Sequence, residues 1–372
     1  MSAGKNKQKK AGKQRSLTWY FILFCLLLVI GAALFLMKSL FFTKPIRHIL
    51  LISIDTCRAD YLSCYGFPQK LTPTIDAIAE DATLFENVVT SIPLTLPAHS
   101  SMMTGTIPPY HGVHDNLNEA LGESNITLAE ILKENGFTTG AVVSTIVLNS
   151  RFGLNQGFDT YNDEFENPIR TTAITERRGD EATRFAIEWL EKHQDEKFFM
   201  FLHYYDPHHP YDPPEPFKSS YKHNLYAGEI AYTDFCIEKV INKLKELGLY
   251  DSTLIIITGD HGEMLGEHGE ATHGYFIYQS AIKVPLIFKL PGQTRPRRIN
   301  HIVGLIDIVP TICSLLGIKP PPHIQGIDLS PYLRGRHPKV GDRYIFCESL
   351  TATKYNGCLL YTSDAADEGL GV

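Results

Sequence analysis

The chain is predicted to be α/β, with a large central, mostly parallel sheet flanked by helices on both faces. Two observations carry this. Short apolar runs rich in Ile, Val and Phe alternate with helical segments along the chain, and those runs are continuously apolar, which marks strands covered on both sides. The 372 residues are 44% hydrophobic and 20% charged, enough for one large core, and between Pro45 and Gly357 neither a low-complexity linker nor an internal repeat divides it. A net charge of −6 gives no reason to expect nucleic acid as a partner.

Residues 1–16 form a basic tail, with Lys5, Lys7, Lys9, Lys10, Lys13 and Arg15 and no acid. An uncharged apolar run, Leu17 to Met37, follows, and residues 17–42 are predicted to be a transmembrane anchor. A bilayer needs about 20 apolar residues, whereas the core of a cleaved signal peptide has only about 7 to 15. Trp19 and Tyr20 suit the membrane interface and the cations suit the cytoplasmic side, so the domain at 46–357 is expected outside the cytoplasm, periplasmic or extracellular.

The predicted strands are His48–Ile54, Gly140–Ser144, Phe198–Tyr204 and Thr253–Thr258. Thr72-Pro73 opens a helix as N-cap and first residue, and Thr127 opens another that stops at Gly136. Further helices are expected over Asp180–His193, Tyr232–Leu247 and, interrupted by Pro310, around Leu305–Leu316. The seven cysteines show no CxxC or zinc-ligand spacing; Cys57 and Cys64 are equally compatible with a pair or with free thiols.

Three strands run into metal-ligand residue types at their carboxyl ends, where open α/β sheets bind ligands. The first delivers Asp55; the third delivers Asp206, His208 and His209; the fourth delivers Asp260 and His261. Acids and imidazoles converging on one edge repel one another or stay unpaired unless a cation joins them, so a divalent metal is expected. Carboxylate and imidazole ligands without thiolate, including His261, favour Zn or Mn, with Ca or Mg as alternatives. One site is supported; a second would need ligands from Asp206, His208, His209, His268 and His273.

In SIPLTLPAHSSMMTG, Ser91 to Gly105, Pro97 suits a first helical turn and Gly105 a C-terminal stop, which places Thr95 at the start of a short helix. Free N–H groups there favour an anion. A divalent cation lowers the pKa of bound water from about 15.7 to about 7, and an alcohol should respond similarly, so Thr95 is both a candidate metal ligand and a candidate nucleophile. Ser91, Ser100 and Ser101 read as loop and helix residues, His111 and His114 as pocket wall or structural, and Asn116 as a substrate contact.

The segments LISIDTCRADYLSCYG, TLPAHSSMMTGTIPPYHGVHDN, HYYDPHHPYDPP, TGDHGEMLGEHGE with HGYFIYQSAIKVPLI, and VGLIDIVPTICSLLGI resemble the successive motifs of the sulfatase-like branch of the alkaline phosphatase superfamily, from about Arg47 to Glu348. The resemblance implies an alkaline phosphatase-like sheet, with a C-terminal subdomain truncated here. It implies metal ligands at Asp55, Asp260 and His261 and a nucleophile at Thr95. It places His208 and His273 at positions that contact the substrate or a second metal, and His99 where sulfatases keep an arginine. Thr56 stands where many sulfatases have a second aspartate ligand.

A threonine cannot become the formylglycine that sulfatases make from Cys or Ser. Thr-x-Pro-x-His resembles instead the nucleotide pyrophosphatase/phosphodiesterase pattern, and a Thr nucleophile also serves lipoteichoic acid synthases and phosphoethanolamine transferases. The expectation is therefore a phosphoester hydrolase working through a covalent phosphothreonine. The alternatives are a phosphotransferase modifying an envelope glycan or lipid, and a sulfatase. Cys358–Glu368, CLLYTSDAADE, resembles the translation of a transposon-end sequencing adapter, so 358–372 reads as sequence foreign to the natural protein.

Overall fold

The computed structural model describes residues 19, 23–31, 45–166, 168–170, 175–336, 338, 341, 343–356 and 361–364. Residues 1–44 and 45–372 are separate units. In the first, Trp19 and residues 23–31 are helical, and no helix among the described residues is long and apolar enough to cross a membrane. The basic tail and the rest of the predicted anchor lie outside the described residues. Of 358–372 only Tyr361–Asp364 is described, as a strand antiparallel to Phe346–Ser349.

The second unit is built on strands β1 (His48–Ile54), β2 (Thr83–Val89), β3 (Thr138–Val142), β4 (Thr160–Asn162), β7 (Phe198–Tyr204), β8 (Thr253–Gly259), β9 (Leu286–Lys289) and β10 (Arg297–Gly304), with a small hairpin of β5 (Ile169–Arg170) and β6 (Thr175–Glu176) beside them. The eight-stranded sheet has the order β10-β2-β9-β8-β1-β7-β3-β4. Only β9 runs against its neighbours; the other pairings are parallel.

Alternation along the central strands divides the core into two layers. Ile49, Leu51, Phe199, Phe201, Leu254 and Ile256 point to one face, against Leu96, Met102 and Met103 of helix α2 (Thr95–Thr104) and Ile312 of Ile308–Leu316. Leu50, Ile52, Met200, Leu202, Ile255 and Ile257 point to the other, against Ile75 and Ile78 of helix α1 (Pro73–Ala79), Ala186 and Leu190 of Gly179–Lys192, and Ile237 and Leu244 of Leu225–Glu246. A continuous apolar strand is therefore two alternating apolar faces, each with its own helical cover.

The predicted β1 and β7 have the observed limits, β8 gains Gly259, and β3 lies two residues earlier than expected. The Thr127 helix opens with a full capping box to Glu130 and ends before Gly136 at φ +77°. Thr72 precedes Pro73 as expected but does not cap the backbone; its hydroxyl bonds Asp76. Pro310 interrupts nothing: it is the third residue of Ile308–Leu316, where no intrahelical N–H is needed. The helix expected at Tyr232 begins at Leu225, capped by the Asn224 side chain on the Ala227 N–H. The thiols of Cys57 and Cys64 are free, Cys57 being buried.

Gly140 of β3 is packed so closely that a Cβ there would lie 2.3 Å from the Trp189 ring. Gly140→Ala should cost about 1 to 3 kcal/mol by overpacking, read as a lower urea midpoint with an altered Trp189 emission. An unchanged midpoint would contradict this packing.

Candidate active site

The parallel register sets the site. Ile54 pairs with Tyr204 on one side and Gly259 on the other, so the next residues, Asp55, Tyr205 and Asp260, leave the sheet at one level of the carboxyl edge. The side chains of Asp55, Asp260 and His261 form the one group of three or more candidate metal ligands among the described residues, with ligand atoms within 4.8 Å of one another and all three residues fully buried.

Each of the three is aimed by its neighbours. Asp260 Oδ1 accepts the N–H of Thr56 (3.1 Å) and of His261 (2.7 Å), and its Oδ2 is buried with no hydrogen bond. Asp55 Oδ2 lies 3.3 Å from His203 Nε2, while Oδ1 is buried and unpartnered. The Ser144 N–H donates to His203 Nδ1, so the His203 proton is on Nε2 and points at Asp55. His261 Nδ1 donates to the Gly262 carbonyl (2.9 Å), which leaves the Nε2 lone pair facing the carboxylates.

Two orphaned carboxylate oxygens and one free imidazole nitrogen are the donor set of a divalent cation, and burying them without one is costly. Burial pushes Asp55 up to about 6 and Asp260 up to about 7, the latter with added repulsion from Asp55. Burial also holds His261, His99 and His203 down at about 4, so these imidazoles are neutral at pH 7.

Thr95 is the first residue of α2, and its Oγ1 is 3.4 Å from His261 Nε2. The helix end is less open to an anion than its sequence suggests. The Leu96 N–H is taken by Asn116 Oδ1, Pro97 has none, and the Ala98 N–H donates to Leu94. Asn116 thus holds the helix start. Ser91, Ser100 and Ser101 are structural: the Ser91 carbonyl accepts the Glu348 N–H, Ser100 bonds its own helix and Ser101 bonds His111. His114 bonds Glu348.

His99, the candidate catalytic residue that stands where sulfatases keep an arginine, is a buried support. Its Nδ1 donates to the Thr95 carbonyl (2.7 Å), its Nε2 accepts from Ser53 (2.9 Å), and its ring packs edge-on to Phe201 and His203. No ring nitrogen remains for a substrate.

Asp206 and His209 lie outside the ligand group. Asp206 Oδ1 accepts the Gly179 N–H (3.0 Å) that opens a fourteen-residue helix, so it serves as a helix cap, as aspartates after strands commonly do. His209 is exposed, its ring against Tyr211, and His268 is an exposed loop residue stacked on Tyr278.

His208 and His273 do come to the site. The His273 ring is 4.3 Å from that of His261 and 5.2 Å from that of His208, which stacks on Tyr205 at 4.4 Å. Burial opposes protonation of His273, but Glu263, with Asp55 and Asp260 adding, holds its pKa above the ordinary value. Burial, with His273 adding, holds His208 down at about 3.

Three residues escaped the sequence reading: Ser53, His203 and Glu263. Glu263 Oε1 accepts from the His273 backbone N–H (2.9 Å) and contacts its Nδ1 (3.1 Å), fixing the ring. Polar residues inside apolar strands, such as Ser53 and His203, are the one signal that pointed to them.

The sulfatase family model matches residues 47–318. The chain belongs to the sulfatase family. The family, a metal-dependent one, is the sulfatase-like branch of the alkaline phosphatase superfamily. The chain is 27% identical over 346 residues to an ulvan-active sulfatase of Formosa agariphila, covering 80% of this chain and 66% of that protein. It is 25% identical over 363 residues to human N-acetylgalactosamine-6-sulfatase, covering 80% of this chain and 67% of that one. The chain therefore spans about two thirds of the length of these relatives. In fold it is similar to the phosphonate monoester hydrolase of Agrobacterium radiobacter, with a TM-score of 0.70 at 23% identity over 82% of this chain and 80% of that one. It is equally similar, with a TM-score of 0.70 at 23% identity over 81% and 79%, to Ps i-CgsB in complex with k-i-k-neocarrahexaose.

A cation must displace protons from Asp55 and Asp260, so its binding to this sulfatase-family chain should be strongest above pH 7 and weaken as pH falls through about 7 and then about 6. Calorimetric titration of Mn²⁺ into metal-free protein should show apparent affinity falling about tenfold per pH unit for each proton displaced. Equal affinities at pH 5.5 and pH 8 would exclude these carboxylates as the ligands.

Proposed function

We propose that the protein is a membrane-anchored, metal-dependent hydrolase that cleaves a phosphoester through Thr95. The observation that carries the reading is the Thr95 hydroxyl beside His261 Nε2, at the edge of a buried group with two orphaned carboxylate oxygens. Asp55, Asp260 and His261 would hold the cation, with the Thr95 hydroxyl beside them; when bound, it supplies the Lewis acidity that makes an alcohol a nucleophile and offsets charge on the ester oxygens. Imidazole without thiolate in the ligand set favours Zn or Mn.

In this reading Thr95 Oγ attacks phosphorus, the ester alcohol departs, and water resolves the phosphothreonine. His99 orients the nucleophile through the Thr95 carbonyl, and His203 aims Asp55. His273, held by Glu263, and His208, stacked on Tyr205, are placed to donate hydrogen bonds to the ester's oxygens. The apolar run Leu17 to Met37 supports an anchor that keeps the site outside the cytoplasm, near envelope glycans and lipids.

A second reading, attack on a sulfate ester, is favoured by the relatives, which are named as sulfatases. Matched nitrophenyl esters decide between them. A phosphodiester should turn over at least about tenfold faster than the sulfate, and Thr95→Ala should remove about 10³-fold or more of either activity while the melting temperature stays within a few degrees. Mass spectrometry of acid-quenched protein should find phosphate on the Thr95 peptide. Faster sulfate turnover would establish the second reading, and full activity in Thr95→Ala would overturn both.

A further inference from the structure

A further carboxyl, that of Glu176, reaches this edge. Glu176 ends β6, which crosses to the tip of β3: Glu176 forms a backbone bridge with Thr145, and the next N–H, of Arg177, donates to the Ser144 carbonyl. Ser144 in turn bonds His203, the residue that aims Asp55. Because β3, β7, β1 and β8 are parallel neighbours, this crossing brings Glu176 to the edge that carries Asp55 and Asp260.

The Glu176 side chain is half-buried, and among the described residues its carboxyl makes no hydrogen bond and no ion pair. The charged and titratable groups that act on it come from each neighbouring element: Asp206 and Tyr205 after β7, Asp55 after β1, and Arg178 two residues on in its own segment. Arg178 is engaged elsewhere, with the Asp212 carbonyl and Glu229. Burial, then Asp206 and Asp55 against the opposing pull of Arg178, raises Glu176 to about 8. A carboxyl in such surroundings carries a proton at neutral pH, has no acceptor for it among the described residues, and lies at the sheet edge where Asp55 and Asp206 act on it.

We infer that Glu176 is the general acid that protonates the departing alcohol of the ester. The inference rests on the Thr95 reading above. Thr95, its hydroxyl proton already released to water, attacks through Oγ; as Oγ bonds to phosphorus the P–O bond to the alcohol breaks, and the bond pair goes to the alcohol oxygen, which takes the Glu176 proton and leaves as neutral ROH. When water attacks the phosphothreonine, the P–Oγ bond breaks with its pair returning to Thr95 Oγ, and the proton that the water loses goes to the Glu176 carboxylate and resets the site. Such an acid is needed for alkyl and glycan alcohols, which are poor leaving groups, and hardly for nitrophenolate.

The test uses the full chain with two phosphodiesters that differ only in leaving group, nitrophenyl and methyl. Glu176→Gln should lose about 10²- to 10³-fold in kcat/KM on the methyl ester and less than about threefold on the nitrophenyl ester. The methyl-ester pH profile should also lose its descending alkaline limb, with the melting temperature unchanged. An equal loss on both esters would reduce Glu176 to a structural residue, and no loss on either would remove it from the reaction. Thr95→Ala, assayed alongside, separates the two failures: its retaining activity, or a wild type inactive on both esters, overturns the parent reading and this one with it.

Discussion

Two carboxylates buried at one level of adjacent parallel strands repel each other, and nothing in the apolar layers below them screens that repulsion. Asp55 and Asp260 are forced into this position by the pairing of β1 with β8, which the core residues of both faces lock. Around this constraint the rest of the edge is arranged. Asp260 Oδ1 is satisfied by two backbone N–H groups and Asp55 Oδ2 by His203, but one oxygen of each is left over. A cation held by these oxygens would turn the repulsion into attraction.

The backbone absorbs part of the cost. Thr56 is β-branched and buried, yet it adopts φ +51°, a conformation that costs of the order of 1–3 kcal/mol in such residues. It is held there by its N–H on Asp260 and by Tyr226, whose hydroxyl donates to the Thr56 carbonyl (2.7 Å). The strain places the peptide that follows Asp55 where it can hold Asp260. Arg58 extends the arrangement by joining Asp60 and Glu267 and by donating to the Glu263 carbonyl, so the end of β1 braces the loop that carries His261 and Glu263.

Histidine does three kinds of work within one site. His261 offers a bare nitrogen because its other nitrogen is tied to the Gly262 carbonyl. His99 and His203 are hydrogen-bonded at both nitrogens and act as struts, one beneath Thr95 and one beneath Asp55. His273 and His208 form the stacked wall above. The residue type was legible in the chain, but which nitrogen is free depends on partners up to 148 residues away.

The strand runs, the Thr127 capping box and the ends of β1, β7 and β8 were readable because they depend on periodicity and on neighbours in the chain. Asp55, Asp260 and His261 could be picked out for the same reason: each follows an apolar strand. Asp206 and His209 follow a strand just as plainly, and only the folded chain shows Asp206 capping the helix at Gly179 and His209 turned to the surface. What the linear chain determined was which residues arrive at the carboxyl edge, since strand ends are local. Which of them face one another was decided by strand order and register, because these set the distances between charges that lie far apart in sequence.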